Sequence, residues 1–135
     1  MLQFYFLSIV ANALAGYILI SGSDDSPLVF KSGFSLKDET FKLGVGIAAL
    51  VIGLMKILSV VEGDVPVIGD IIPAVAGILS GFILVFEYYR SRTSLEASEN
   101  VAKVDRLLVA NKKVIGIAAL IAAVLHFLFP RVLLL

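Results

Sequence analysis

A chain of 135 residues that is 59% hydrophobic and only 16% charged, with a mean hydropathy of +1.01, is too apolar for a water-soluble domain; such domains run at about 45–50% apolar and about 25% charged. Its 11 cations balance its 11 anions, which leaves no basic domain to hold nucleic acid. The absence of cysteine excludes disulfides, thiolate catalysis and thiolate metal ligation, and a single histidine narrows the catalytic options further.

Crossing a hydrocarbon layer of roughly 30 Å takes about 20 helical residues. Four apolar stretches of that length occur, and the segments between them carry nearly all the charge. The first is about Leu2–Ile20. Ala13-Leu14-Ala15 resembles a leader-cleavage site, but Met1-Leu2-Gln3 offers no cation, so a retained helix is expected. A polar loop follows, broken by Gly22, Asp24, Asp25 and Pro27. Ser35-Leu36-Lys37-Asp38 reads as a capping box, which starts a second helix near Leu36 and carries it to about Val61.

After a short acidic connection, Asp70 stands before Ile71-Ile72-Pro73 as an N-cap of a third helix over Ile71–Tyr89. Thr93-Ser94-Leu95-Glu96 resembles another capping box. Val101, Val104 and Leu108 then recur at helical spacing, predicting an amphipathic segment over about 94–111 that leads into a fourth span at about Lys113–Val132. The prediction is an all-α, integral membrane four-helix bundle forming a single domain over 1–135.

Nine of the eleven cations lie in the first and third loops: Lys31, Lys37, Lys42, Arg90, Arg92, Lys103, Arg106, Lys112 and Lys113. Only Lys56 and Arg131 lie toward the other side. Cytoplasmic loops retain Lys and Arg, so loops 21–42 and 90–113 are expected in the cytoplasm and both termini outside a plasma or inner membrane. Arg90 and Arg92, after Tyr88-Tyr89, read as interfacial anchors rather than a phosphate site.

Gly46-Ile47-Ala48-Ala49-Leu50 recurs as Gly116-Ile117-Ala118-Ala119-Leu120, and Lys42 precedes the first block as Lys112 precedes the second. Ala13-Leu14-Ala15-Gly16-Tyr17-Ile18-Leu19 likewise resembles Ile78-Leu79-Ser80-Gly81-Phe82-Ile83-Leu84. The pattern predicts two tandem, parallel two-helix repeats, one over 1–62 and one over 65–135. A two-span unit keeps its direction when copied, so the halves should be related by an axis along the membrane normal.

Small residues four apart mark faces for close helix packing: Asn12 with Gly16, Ala49 with Gly53, Gly77 with Gly81, and Ala118 with Ala122. Gly44-Val45-Gly46-Ile47-Ala48-Ala49 loosely fits a dinucleotide fingerprint, but no strand precedes it, and that reading is rejected.

Lys56 and His126 occupy equivalent positions of the two repeats. Ionisable groups inside a membrane are expensive and mark functional candidates. They could line a polar pathway with Asp70 or Glu62 as counter-ion; alternatively the Lys56 stem reaches the headgroups and His126 simply hydrogen-bonds near the interface. Asn12, the deepest polar side chain of the first helix, is expected to bond a neighbouring helix. Glu62, Asp64 and Asp70 lack the spacing of a recognised cation loop, so no metal and no cofactor is expected.

No nucleophile elbow, zinc-protease helix or phosphate loop occurs, nor an acidic residue in the middle of the first helix, as a small cation exporter would need. A non-enzymatic scaffold or partner-binding membrane subunit is the leading expectation. A small oligomeric channel or transporter using Lys56 and His126 is the alternative. The expected partners are the lipid bilayer and a second copy or another membrane protein, not nucleic acid.

Overall fold

The computed structural model describes residues 2–21, 38–58, 71–93 and 98–129. All regular structure among them is helical. Helix α1 (Leu2–Ser21) contains no charged residue and no proline, so no ring interrupts its backbone ladder.

Helix α2 (Glu39–Leu58) starts later than the capping-box reading places it. Asp38 stands outside the helix, and its Oδ1 accepts the Thr40 amide at 3.0 Å while its carbonyl accepts the Lys42 amide at 3.0 Å. A carboxylate satisfying first-turn amides at the positive end of the helix dipole is a strong stop for the preceding chain. Ser35 lies outside the described residues.

Helix α3 (Ile71–Arg92) tolerates Pro73 in its first turn, where a missing amide hydrogen leaves no bond unmade. It runs past Tyr89, with Arg90 and Arg92 complementing the negative end of the dipole. Asp70, before its first residue, lies outside the described residues.

The amphipathic segment is helix α4 (Glu99–Val104) followed by a π-helical turn over Asp105–Val109. The wider turn is closed by Ala110, whose amide donates to the Asp105 carbonyl at 2.9 Å. The chain then bends by 51° into helix α5 (Lys112–Leu128). Asn111 bridges the bend by donating from Nδ2 to the Leu107 carbonyl at 2.9 Å. Helices α1, α2 and α3 are each long and apolar enough to cross a membrane, and the bent pair Glu99–Val109 plus Lys112–Leu128 makes a fourth candidate.

Helix α2 packs chiefly on α3, and α1 chiefly on α5; α1 also touches α2 and α3, and α3 touches α5. The contacts of Gly16 with Gly116 and of Tyr5 with His126 make α1 and α5 antiparallel. Those of Gly46 with Gly81 and of Gly53 with Ala74 do the same for α2 and α3. The start of α1 and the ends of α2 and α5 therefore meet at one end of the bundle. Ala15, Ile18, Leu19, Ala49, Ile83 and Leu84 form the apolar centre.

The opposite end is tied by ion pairs. Lys112 meets Glu87 at 2.6 Å, Arg90 pairs with Asp105, and Arg92 reaches Glu39 at 3.6 Å while lying over the Tyr88 ring. These pairs connect α2, α3, the π-turn and α5.

Candidate functional site

The polar residues of α1 recur at positions 5, 8 and 12, a spacing that puts Tyr5, Ser8 and Asn12 on one helical face. That face turns inward, with Ser8 and Asn12 both only 2% exposed. Asn12 donates from Nδ2 to the Pro73 carbonyl at 2.9 Å, tying α1 to α3. Its Oδ1 is buried with no hydrogen-bond partner among the described residues and sits against Gly77, where an added Cβ would lie 3.0 Å away. Ser80, also buried, returns its hydroxyl to the Ala76 carbonyl at 2.7 Å.

Lys56 and His126 meet. Lys56 Nζ lies 3.0 Å from His126 Nε2, across 70 residues of sequence, with the two residues 9% and 1% exposed. The Lys56 side chain is thus turned into the bundle. Tyr5 completes the cluster: its hydroxyl donates to the His126 carbonyl at 2.7 Å, and its ring centroid lies 4.6 Å from the imidazole. Lys56 Nζ is 5.7 Å from the centre of the Tyr5 ring, within cation–π range.

A nitrogen–nitrogen hydrogen bond needs one N–H and one lone pair. The ammonium has donors only, and an imidazole accepts at Nε2 only when that nitrogen is unprotonated.

Backbone-close packing joins the helices that carry this cluster. A Cβ on Gly16 would lie 2.6 Å from the Gly116 carbonyl oxygen, and one on Gly81 would lie 2.6 Å from that of Gly46. Gly53 and Gly77 are also buried at the α2–α3 contact. Ala122 is buried, but Ala118 is exposed, which corrects its expected packing role. The inward face of α5 runs through Gly116, Ala119, Ala123 and His126, and 3.6-residue periodicity carries Ala118 away from it. Ala118 instead lines an apolar groove of about 330 Å³ with Ile71, Val75, Leu79, Ile115 and Ala122.

Of the four polar candidates from sequence, Lys56 and His126 are brought together, Asn12 stands apart on the α1–α3 contact, and Asp70 lies outside the described residues. Tyr5 was missed. Its signal was the shared helical face with Ser8 and Asn12, which is weak in so apolar a chain. Among the described residues, no group of three or more His, Asp or Glu is placed to hold a metal ion.

A protein-family model matches residues 1–126 of the chain. A protein of Treponema pallidum (strain Nichols), described only as uncharacterized, is 31% identical over 133 residues, covering 98% of each chain. The chain belongs to that family. The match covers nearly the whole of both chains, so the relative shares the chain's extent and not merely one segment of it. No solved structure matches.

Proposed function

We infer that the chain is an integral membrane protein of four spans, acting as a non-enzymatic scaffold or partner-binding subunit. The observation that carries the membrane reading is where the side chains point. Large apolar groups such as Phe6, Val51, Leu54, Ile121 and Val124 are exposed, while Ser8, Asn12, Lys56, Ser80 and His126 are buried. In water that distribution would leave a wide apolar surface uncovered; in lipid it satisfies both sets.

The non-enzymatic reading is supported by what the interior polar groups do. Asn12 Nδ2 and the Ser80 and Tyr5 hydroxyls donate to backbone carbonyls, and Lys56 contacts His126. These are ties between and within helices.

The tandem-repeat reading is supported by the matched glycine contacts. Gly16 and Leu19 of α1 face Gly116 of α5 as Gly81 and Leu84 of α3 face Gly46 of α2. The cation-bearing loops favour a cytoplasmic placement of the ion-paired end.

Resistance of the chain to alkaline extraction from membranes tests the first part. Nearly isosteric cysteines at Ser8, Asn12 and Ser80 in this cysteine-free chain test the second. A packed scaffold protects all three from a water-borne thiol reagent; labelling at all three depths, with solute flux in liposomes, would overturn it. The contact of Lys56 with His126 favours one second reading, a small oligomeric channel or transporter, for which flux must disappear in Lys56→Gln.

A further inference from the structure

We propose that the outer face of the junction between α4, the π-turn and α5 binds the phosphate of an anionic lipid headgroup. Arg106 and Lys113 hold the phosphate, and Leu107 and Val114 enter the acyl region beneath it.

The junction has two faces. Val104, Leu108, Val109 and Ile115 are half-buried, and Leu108 and Ile115 pack against the apolar centre of the bundle. Spacing of three and four residues carries Lys103, Arg106, Leu107, Ala110, Lys113 and Val114 to the other side, where all six are exposed. Leu107 is 68% and Val114 66% exposed, and each directly follows a cation. A large apolar side chain beside a long cationic one suits a bilayer interface, which takes the first below the phosphate level and the second at it. The same face turned to water would leave both apolar groups wet.

Read along the chain, Glu99, Lys103, Asp105 and Arg106 make a segment of mixed sign. The fold sorts these charges. Asp105 turns to Arg90 of α3, Glu99 is held by Lys103 at 3.0 Å, and Glu87 of α3 is held by Lys112 at 2.6 Å. Arg106 and Lys113 meet no carboxylate among the described residues; Glu96 lies outside them. The acids are compensated within the protein, and the surplus positive charge points outward. Arginine offers phosphate oxygens a fixed fork of N–H donors, and lysine adds a mobile ammonium. An anionic leaflet attracts cations placed beside a span in this way.

The site rests on the membrane reading, and the test separates the two. The chain has no tryptophan, so Leu107→Trp, or Ile121→Trp on the exposed apolar side of α5, gives a single emitter. Each variant is placed in vesicles of phosphatidylcholine and phosphatidylglycerol in equal parts, with bromine on the acyl chains of one lipid or the other to quench emission by contact. At position 107 brominated phosphatidylglycerol should be preferred on the order of five-fold. At position 121 the two lipids should quench alike. Adding Arg106→Gln and Lys113→Gln to Leu107→Trp should abolish the preference; both side chains are exposed, so the fold is kept.

Equal quenching by the two lipids at position 107 would overturn the proposal, as would a preference that survives loss of both cations. Quenching at 121 with none at 107 would also overturn it, leaving the face to an acidic protein. Absence of quenching at both positions would remove the membrane reading, and the lipid site with it.

Discussion

Gly81 of α3 and Gly46 of α2 stand so close that a methyl group on Gly81 would sit 2.6 Å from the Gly46 carbonyl oxygen and 2.8 Å from the Leu50 nitrogen. Both are backbone atoms, so the strain cannot be relieved by turning a side chain. Gly81→Ala should therefore cost about 1–3 kcal/mol of overpacking. Gly16→Ala, which meets the Gly116 carbonyl at the same distance, should cost a similar amount. Gly44→Ala, whose Cβ meets nothing within 4 Å, should be neutral or stabilising. Unfolding in mixed micelles checks all three.

The bond from Asn12 to the Pro73 carbonyl joins two helices deep in the bundle. Asn12→Ala should lower stability by about 1 kcal/mol, in line with interhelical hydrogen bonds in lipid. Asn12→Asp should cost more, since a carboxylate cannot donate to the Pro73 carbonyl and its own charge would be buried. The same unfolding assay ranks the two variants against the parent.

Tyr5→Phe keeps the ring against the imidazole and removes only the hydroxyl bond to the His126 carbonyl. A loss of about 0.5–1.5 kcal/mol is expected. Tyr5→Leu removes the aromatic contact as well and should be worse, with the His126 imidazole resonance shifting in both variants. An unshifted resonance would contradict the contact.

At the ion-paired end, Arg90 and Lys112 connect α3 to the π-turn and to α5. Asp105→Asn should leave global stability within about 1 kcal/mol, as partly exposed ion pairs contribute little. Local exchange is another matter: amide protection over residues 99–109 should fall, and fall further at high salt in the parent. Hydrogen exchange by mass spectrometry reads this directly.

Much of the helical layout could be read before any coordinates because oily length is a coarse and robust signal. The positions of Ile71 and Lys112 as helix starts lie at or beside the transitions in composition. The start of α2 was displaced because Ser35 and Asp38 are both plausible caps, and local pattern does not rank them. Pairing was harder. Gly16, Gly53, Gly77 and Gly81 are visible as small residues, but among helices this uniformly apolar one small face is nearly as good a partner as another. Only the folded chain shows Gly16 meeting Gly116 rather than Gly46.

The same limit applies to the candidate site. The recurrence of Gly46-Ile47-Ala48-Ala49-Leu50 sets Lys56 and His126 at matching depth, but depth alone does not make them neighbours. The recurrence in the first helix begins at Ala13 and so did not draw in Tyr5. Ala118 was placed on the packing face by counting fours, whereas Gly116 defines that face.

Lys56 and His126 lie 70 residues apart, on helices whose main packing partners are α3 and α1. A fragment holding only α1 and α2, or only α3 and α5, lacks one member of the pair, so this contact reports that both halves of the polypeptide have come together.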